Sequence, residues 1–103
     1  VLAAETQRYA NKLFLIGFLQ AKKENLTRNR TDLVGFEDAY ILAVEKHDEV
    51  MRSIAEKYDH VYFLKLNKEK FKAEWFLDAC HLTEKGETEK AKQIAEFIKK
   101  YVN

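Results

Sequence analysis

The sequence predicts an α/β fold in which two strands pair in parallel and each is followed by a helix. Three observations predict it: two short apolar runs, a long amphipathic helix pattern between them, and a second amphipathic pattern at the end of the chain. A strand that returns parallel through a helix implies a right-handed crossover. Because two parallel strands cannot cover their own faces and edges, we expect further strands to come from elsewhere.

The first strand is predicted over residues 13–19, a continuous apolar run that suits a strand buried on both faces. A helix is the alternative, since no proline interrupts residues 3–23 and leucine is a good helix former. Residues 20–35 are polar and have no period, so they form a long connection. Loops of that length are more often functional or mobile than inert.

The next elements follow from a change of period. From Phe36 to Tyr58, apolar residues recur at three- and four-residue steps, which predicts a long amphipathic helix. Residues 61–66 combine β-branched and aromatic side chains, which favours the second strand. Thr83 can cap a final helix whose apolar positions keep helical spacing: Ala91, Ile94, Ala95, Ile98 and Val102.

The charge balance argues against some partners. The chain has 18 Lys and Arg against 17 Asp and Glu, so no net field draws it to nucleic acid or to an anionic membrane. Its longest apolar run is far shorter than the roughly 20 residues that span a bilayer. The single cysteine, Cys80, rules out an internal disulfide, so cysteine pairing does not indicate a compartment.

The chemistry falls on the loop after the second strand, because reactive groups in such folds lie beyond the C-terminal ends of strands. There the spacing of Asp78 and His81 lets the carboxylate accept the Nδ1 proton of the imidazole. Nε2 can then take a proton from a hydroxyl nucleophile. Taken alone, this spacing is also that of an ordinary surface turn or a helix N-terminal box.

The surrounding residues make the pair more specific. Residues 76–83, Phe-Leu-Asp-Ala-Cys-His-Leu-Thr, followed by Gly86, resemble the last block of the SGNH, or GDSL-type, serine hydrolases. In that family an aromatic or Leu position leads into Asp-x-x-His, then a Thr or Pro and a helical Gly. Residues 49–58 and 61–66 look like the family's penultimate helix and final strand. The resemblance runs from residue 13 to the end of the chain.

This resemblance implies a flavodoxin-like three-layer fold, of which the chain holds the C-terminal strand-helix-strand-helix portion. It implies an esterase or acylhydrolase that acts on ester or acetyl groups through a Ser-His-Asp triad, with no metal and no cofactor. Asp78 would orient His81, and His81 would act as the base.

The family's Gly-Asp-Ser and Gly-x-Asn blocks are not in this sequence, and its one serine, Ser53, lies inside the long helix pattern. Residues 1–103 are therefore predicted to be a single C-terminal segment, inactive alone. We expect them to pair with the missing N-terminal half or to form a homodimer. The opening at Val1 rather than Met fits this expectation.

Other interpretations of the same loop remain open. Trp75 and Phe76 are predicted either to line an acyl pocket beside His81 or to anchor the loop to the core. Cys80 could act as a thiol nucleophile, but neighbours on a tight turn are expected to point in different directions.

Two further alternatives to a serine hydrolase are a zinc site and a different class of function. Asp78, Cys80 and His81 could form a zinc site with His47 or His60. No Cys-x-x-Cys or His-x-x-x-His spacing supports it, however, so no metal is expected. The alternative function is a non-catalytic α/β module that self-associates through an exposed strand edge. A nucleotide-binding domain fails because no Gly-rich loop follows a strand.

Overall fold

The computed structural model describes residues 12–102. Strand β1 (Leu13–Ile16) is followed by helix α1 (Glu37–Lys57), strand β2 (Val61–Leu64) and helix α2 (Glu84–Lys99), and short 3-10 turns interrupt the two long connections. β1 and β2 are adjacent and parallel, in register from Leu13 opposite Val61 to Ile16 opposite Leu64. The predicted α/β class and the parallel pair are confirmed, and the helical alternative for residues 13–19 is wrong.

Both strands are shorter than predicted, and the end of β1 has a clear cause. The Gly17 N–H donates to the Leu64 carbonyl at 2.7 Å, but the next N–H, that of Phe18, donates to the Asp48 carboxylate at 3.2 Å. The backbone therefore turns from the sheet toward α1 after Gly17. The expected burial of β1 on both faces is wrong as well, since all four of its residues are only partly buried.

The two helices cover opposite faces of this small sheet. Phe14 and Tyr62 are register partners whose rings stack with centroids 5.5 Å apart, and Phe14 also meets Phe97 of α2 edge-on at 6.0 Å. Phe63 points to the other face because successive side chains along a strand alternate. There the Arg52 guanidinium of α1 lies 5.3 Å from the centre of its ring. The sheet thus lies between α1 and α2.

Val61 of β2 is buried, but most of the other buried apolar side chains lie between the two long connections. This cluster comprises Ala21, Leu26, Phe71, Phe76 and Ala79. Leu26 and Ala79 are fully buried. The connection after β1 and the connection after β2 therefore pack against each other, and residues 76–81 lie on that packed base.

The N-terminus of α2 accounts for the Thr and Gly of the sequence motif. As predicted, Thr83 caps the helix: its hydroxyl accepts the Gly86 N–H at 3.3 Å. Gly86 is buried, and a Cβ at that position would lie 3.0 Å from both the Trp75 carbonyl oxygen and the Leu82 side chain. A glycine is needed here because the helix packs so closely on the preceding loop.

The start of the connection after β2 is attached to α2 by one side chain. The Asn67 N–H donates to Gln93 Oε1 at 2.7 Å, and Gln93 Nε2 donates back to the Asn67 carbonyl at 3.3 Å. This side-chain amide thus pairs with both backbone polar groups of Asn67. Within residues 12–102, neither helix has the length and apolar character needed to cross a membrane.

Candidate active site

The loop that carries Asp78 and His81, residues 76–82, is called the site loop here. It is closed on itself and attached to the end of the sheet. Phe76 and Leu82 form an isolated antiparallel bridge, and the Leu77 N–H donates to the His81 carbonyl at 2.7 Å. The Ala79 carbonyl accepts the N–H of Ala21, in the segment that leaves the C-terminal end of β1, at 2.8 Å. The loop therefore lies at the end of the sheet where reactive groups of α/β folds are found.

The Asp78 carboxylate organises this loop with one oxygen and contacts the imidazole with both. Oδ1 accepts the N–H of Cys80 at 3.0 Å and that of His81 at 2.8 Å, and His81 Nδ1 lies 2.9 Å from each carboxylate oxygen. The hydrogen bond from the Cys80 N–H is the main cause that lowers the pKa of Asp78 to about 2, and the His81 N–H and ring add to it against desolvation. Asp78 is thus an anionic acceptor at neutral pH.

The proton positions on His81 follow from that charge. An ionised carboxylate only accepts, so Nδ1 carries the proton, and Nε2 of the neutral ring holds a lone pair. The 2.9 Å separation lies within the hydrogen-bond range that the sequence predicts for an orienting carboxylate. The His81 side chain is 70% exposed, so it faces open surface rather than the cavity expected for the base of a catalytic triad. Its role as a base stays a prediction.

Cys80 lies closer to His81 than expected. Its sulfur is 3.6 Å from His81 Nδ1, so the expectation that the two side chains point apart is wrong. The cause is the turn at Asp78, which draws the N–H groups of both residues onto one oxygen. The same nitrogen faces Asp78 and Cys80, however, and it cannot donate to the carboxylate while it takes a proton from the thiol. The shorter contact, to Asp78, favours the orienting role.

A tyrosine of α1 lies behind this sulfur. The pKa of Tyr40 is raised to about 12, chiefly by burial and then by the charge of Cys80 and a hydrogen bond between the Tyr40 hydroxyl and Cys80. Cys80 therefore interacts with the Tyr40 phenol as well as with the His81 imidazole. The sequence did not predict this contact, since the two residues lie on different elements.

The polar connection after β1 holds the site loop through side chains. The Asn29 amide donates to the Leu77 carbonyl at 2.7 Å, and the Arg28 guanidinium donates to the carbonyls of Ala73 and Phe76 at 3.0 and 3.1 Å. Asn29 has a φ of 57°. The sequence predicts only a long connection here, although Asn is the residue most often found at positive φ after glycine. We call these contacts of Arg28 and Asn29 the loop clamp.

Arg30 brings a positive charge to the same corner. Its guanidinium binds Asp32 through two bonds of 2.9 Å. The pKa of Arg30 is raised chiefly by the Asp32 hydrogen bond, with smaller contributions from the charges of Asp78 and Cys80. The loop thus lies near a cation whose charge is partly balanced by its own partner.

Asp48 is a buried carboxylate that sequence reasoning missed. Its side chain is 4% exposed, and it accepts the Phe18 N–H that ends β1. It lies in the middle of α1, among apolar positions, where an acidic residue breaks the expected stripe. That break is the one signal that could have identified it. Through Phe18, Asp48 fixes the path of the segment that contacts Ala79.

A groove of about 360 Å³ runs from the end of β1 to the site loop. α1 contributes His47, α2 contributes Lys90 and Ile94, and no residue of β2 lines it, so it adjoins the edge of β1 that is not paired with β2. The remaining lining residues are Ile16, Gly17, Phe18, Leu19, Cys80 and Leu82. The side chain of His47, one of the histidines considered above as a zinc ligand, is 61% exposed.

The other candidate residues have ordinary structural surroundings. Trp75 is partly buried against the apolar cluster, with the Lys72 ammonium 5.6 Å from the centre of its ring, and this packing agrees with the anchoring interpretation. A substrate contact of Trp75 stays a prediction. The Ser53 hydroxyl donates to the Glu49 carbonyl of its own helix at 2.9 Å, so it is not the partner of His81.

Comparison with known proteins adds no family to this geometry. No family model matches the chain, and neither curated proteins nor solved structures give a match to it. The likeness to SGNH hydrolases therefore rests on the residues of the motif themselves.

Proposed function

We propose that this chain supplies the Asp and His of an SGNH-type serine ester hydrolase, with the serine provided by another part of a longer protein. The observation that carries the proposal is the contact of His81 Nδ1 with both oxygens of an ionised Asp78 at 2.9 Å. This contact fixes the tautomer that a base needs and leaves Nε2 directed away from Asp78.

In this proposal His81 Nε2 takes the proton of the serine hydroxyl as its oxygen attacks the ester carbonyl. Asp78 stabilises the imidazolium that forms, and His81 then gives its proton to the leaving alkoxide. The substrate class is an ester or an acetyl group. The chain's own contribution is the orientation of one imidazole, and the oxyanion hole comes from the remainder of the site.

The exposure of His81 supports a site that is completed from outside residues 12–102. The groove beside the outer edge of β1 reaches Cys80, the neighbour of His81. A further parallel strand paired with β1 would end near this loop, because the carboxyl ends of parallel strands meet at one edge of the sheet.

The test uses the protein expressed from its complete reading frame, with short-chain nitrophenyl esters and a fluorophosphonate that labels active serines. His81→Ala and Asp78→Asn should each lower kcat by at least about a thousandfold, since the serine loses its base or the base loses its orientation. Cys80→Ala is the matched control and should change kcat little. Normal turnover after His81→Ala, or loss after Cys80→Ala alone, would overturn the assignment.

A second candidate is a non-catalytic module that binds a partner strand along β1. The observation that favours it is the same groove, which is lined mainly by apolar side chains beside an edge of β1 that has no strand partner among residues 12–102. The two candidates differ in one measurement: only the hydrolase gives serine labelling that depends on His81.

A further inference from the structure

Three kinds of metal ligand meet on the site loop. The ligand atoms of Asp78, Cys80 and His81 all lie within 4.8 Å of one another. Among the residues from 12 to 102, His47 and His60 lie outside this group. We propose that the loop binds a divalent transition metal, Zn²⁺ foremost, through one carboxylate oxygen, the thiolate and the imidazole Nδ1.

The spacing of the donors fits a tetrahedral ion. Zinc binds nitrogen at about 2.0 Å and sulfur at about 2.3 Å, which places two such ligands roughly 3.5 Å apart in a tetrahedron. The separation of Cys80 Sγ and His81 Nδ1 is 3.6 Å. The carboxylate oxygens are 2.9 Å from Nδ1 and have to move away by roughly half an ångström.

The two carboxylate oxygens of Asp78 have different hydrogen-bond partners. Oδ1 accepts the N–H groups of Cys80 and His81 and so maintains the turn. Oδ2 contacts only the ring nitrogen within the described residues, so it can change partner without opening the turn. A ligand set on a turn that is already formed requires little further ordering when the ion binds.

The surroundings suit an ion with an open position. The exposure of His81 leaves an entry path and room for water as the fourth ligand. A mixed thiolate, imidazole and carboxylate set favours zinc over magnesium or calcium, which prefer oxygen alone.

Metal on Nδ1 displaces the proton that His81 shares with Asp78. The ring then loses its orienting carboxylate, so Zn²⁺ switches off the proposed base. This inhibitory consequence rests on the proposed function, whereas metal binding by the loop does not.

The experiment titrates Co²⁺ into the 103-residue chain, reduced with a phosphine and without substrate. Because Cys80 is the single cysteine, a thiolate-to-cobalt band in the near ultraviolet reports that one ligand. We expect the band to saturate at one ion per chain and to disappear when Zn²⁺ is added. Cys80→Ser should abolish the band, and His81→Ala should weaken Co²⁺ binding about 10- to 100-fold.

Asp78→Asn is the most informative variant, because its amide oxygen still accepts the two N–H groups of the turn while the anionic ligand is lost. It should weaken binding at least about tenfold with an unchanged circular dichroism spectrum. His47→Ala, a change at an exposed histidine outside the group, should leave the titration as in wild type. No band in the wild-type chain, or a band indifferent to both His81→Ala and Asp78→Asn, would overturn the metal site and leave the hydrolase proposal standing.

Discussion

The Asn29 amide nitrogen donates a hydrogen bond to the Leu77 carbonyl, 48 positions along the chain, at 2.7 Å. Leu77 directly precedes Asp78, so this side chain fixes the backbone from which the carboxylate projects. Asn29 makes the contact from a left-handed conformation, with φ at 57°. One residue of a polar connection thus combines a backbone position that few residues accept with a hydrogen bond to the site loop.

Two substitutions separate these contributions. Asn29→Gly removes the hydrogen bond and also the Cβ that strains a positive φ, so it should lower the free energy of unfolding by no more than about 1 kcal/mol. Asn29→Ala removes the same bond but keeps a Cβ at positive φ without the tolerance of an Asn side chain, so it should cost about 1 to 2 kcal/mol more than Asn29→Gly. Urea denaturation of the two variants and wild type measures both. Equal stabilities for all three proteins would contradict the loop clamp.

The pH dependence of stability should carry the signature of Asp78. Its pKa lies at about 2 in the folded chain against an ordinary value of 3.8. A group whose folded pKa is lowered contributes stability that is complete above the unfolded value and is lost as the pH falls through the folded value. The free energy of unfolding should therefore drop between pH 3.8 and about 2.

Urea denaturation across that pH range, compared with Asp78→Asn, checks this expectation. The variant should be less stable than wild type at pH 6 and show a shallower loss toward pH 2. Asp59→Asn, at an exposed position on the turn before β2, serves as the control and should follow wild type. An Asp78→Asn profile parallel to that of wild type would show that the carboxylate does not contribute in this way.

Gly86→Ala tests the close packing of α2 on the site loop. Alanine favours a helix over glycine by about 1 kcal/mol, so an open position would gain stability. At Gly86 the added Cβ meets the Trp75 carbonyl at 3.0 Å, and overpacking of this kind costs about 1 to 3 kcal/mol. We expect a net loss in thermal denaturation. Lys85→Ala, on an exposed neighbour, should stay within about 0.5 kcal/mol of wild type, and a stabilised Gly86→Ala would refute the argument.

The outer edge of β1 should make the isolated chain self-associate or bind the N-terminal part that the proposed function requires. Phe18 lines the groove there and is 43% exposed. Phe18→Lys should therefore shift sedimentation toward monomer. Leu42→Lys introduces the same charge at a position of α1 that does not line this groove, and it should leave the distribution unchanged. A stable monomer of the wild-type chain at high dilution would contradict this expectation.

The sequence was sufficient for the features that depend on local periodicity. A continuous apolar run and strand-type composition predict β1 and β2, and the helix pattern between them predicts that they are parallel. The Thr83 hydroxyl predicts the start of α2. The end of β1 could not be predicted, because it depends on Asp48, a carboxylate of another element that takes the Phe18 N–H. A backbone N–H can form its hydrogen bond with a side chain that is distant in sequence, and a local sequence pattern does not predict such a bond.

The candidate site also contains local contacts that the sequence predicts and contacts between separate elements that it does not predict. The spacing of Asp78 and His81 is local, so the sequence predicts their contact directly. The approach of Tyr40 to Cys80 and the loop clamp join residues of separate elements, and they depend on how the two long connections pack. The sequence indicates only that those connections are long and polar.

The loop clamp has a consequence for the order in which the chain folds. The contact of Asp78 with His81 spans three positions, whereas the contacts of Arg28 and Asn29 span 45 to 48. Closing the larger loops costs more chain entropy, and contacts of long sequence separation slow the search for the native state. The turn at Asp78 can therefore form transiently early in folding, while the loop clamp that holds it to the rest of the molecule forms late. On gentle warming, the loop clamp should open first, and the amide hydrogens of residues 77–81 should exchange with solvent before those of β2.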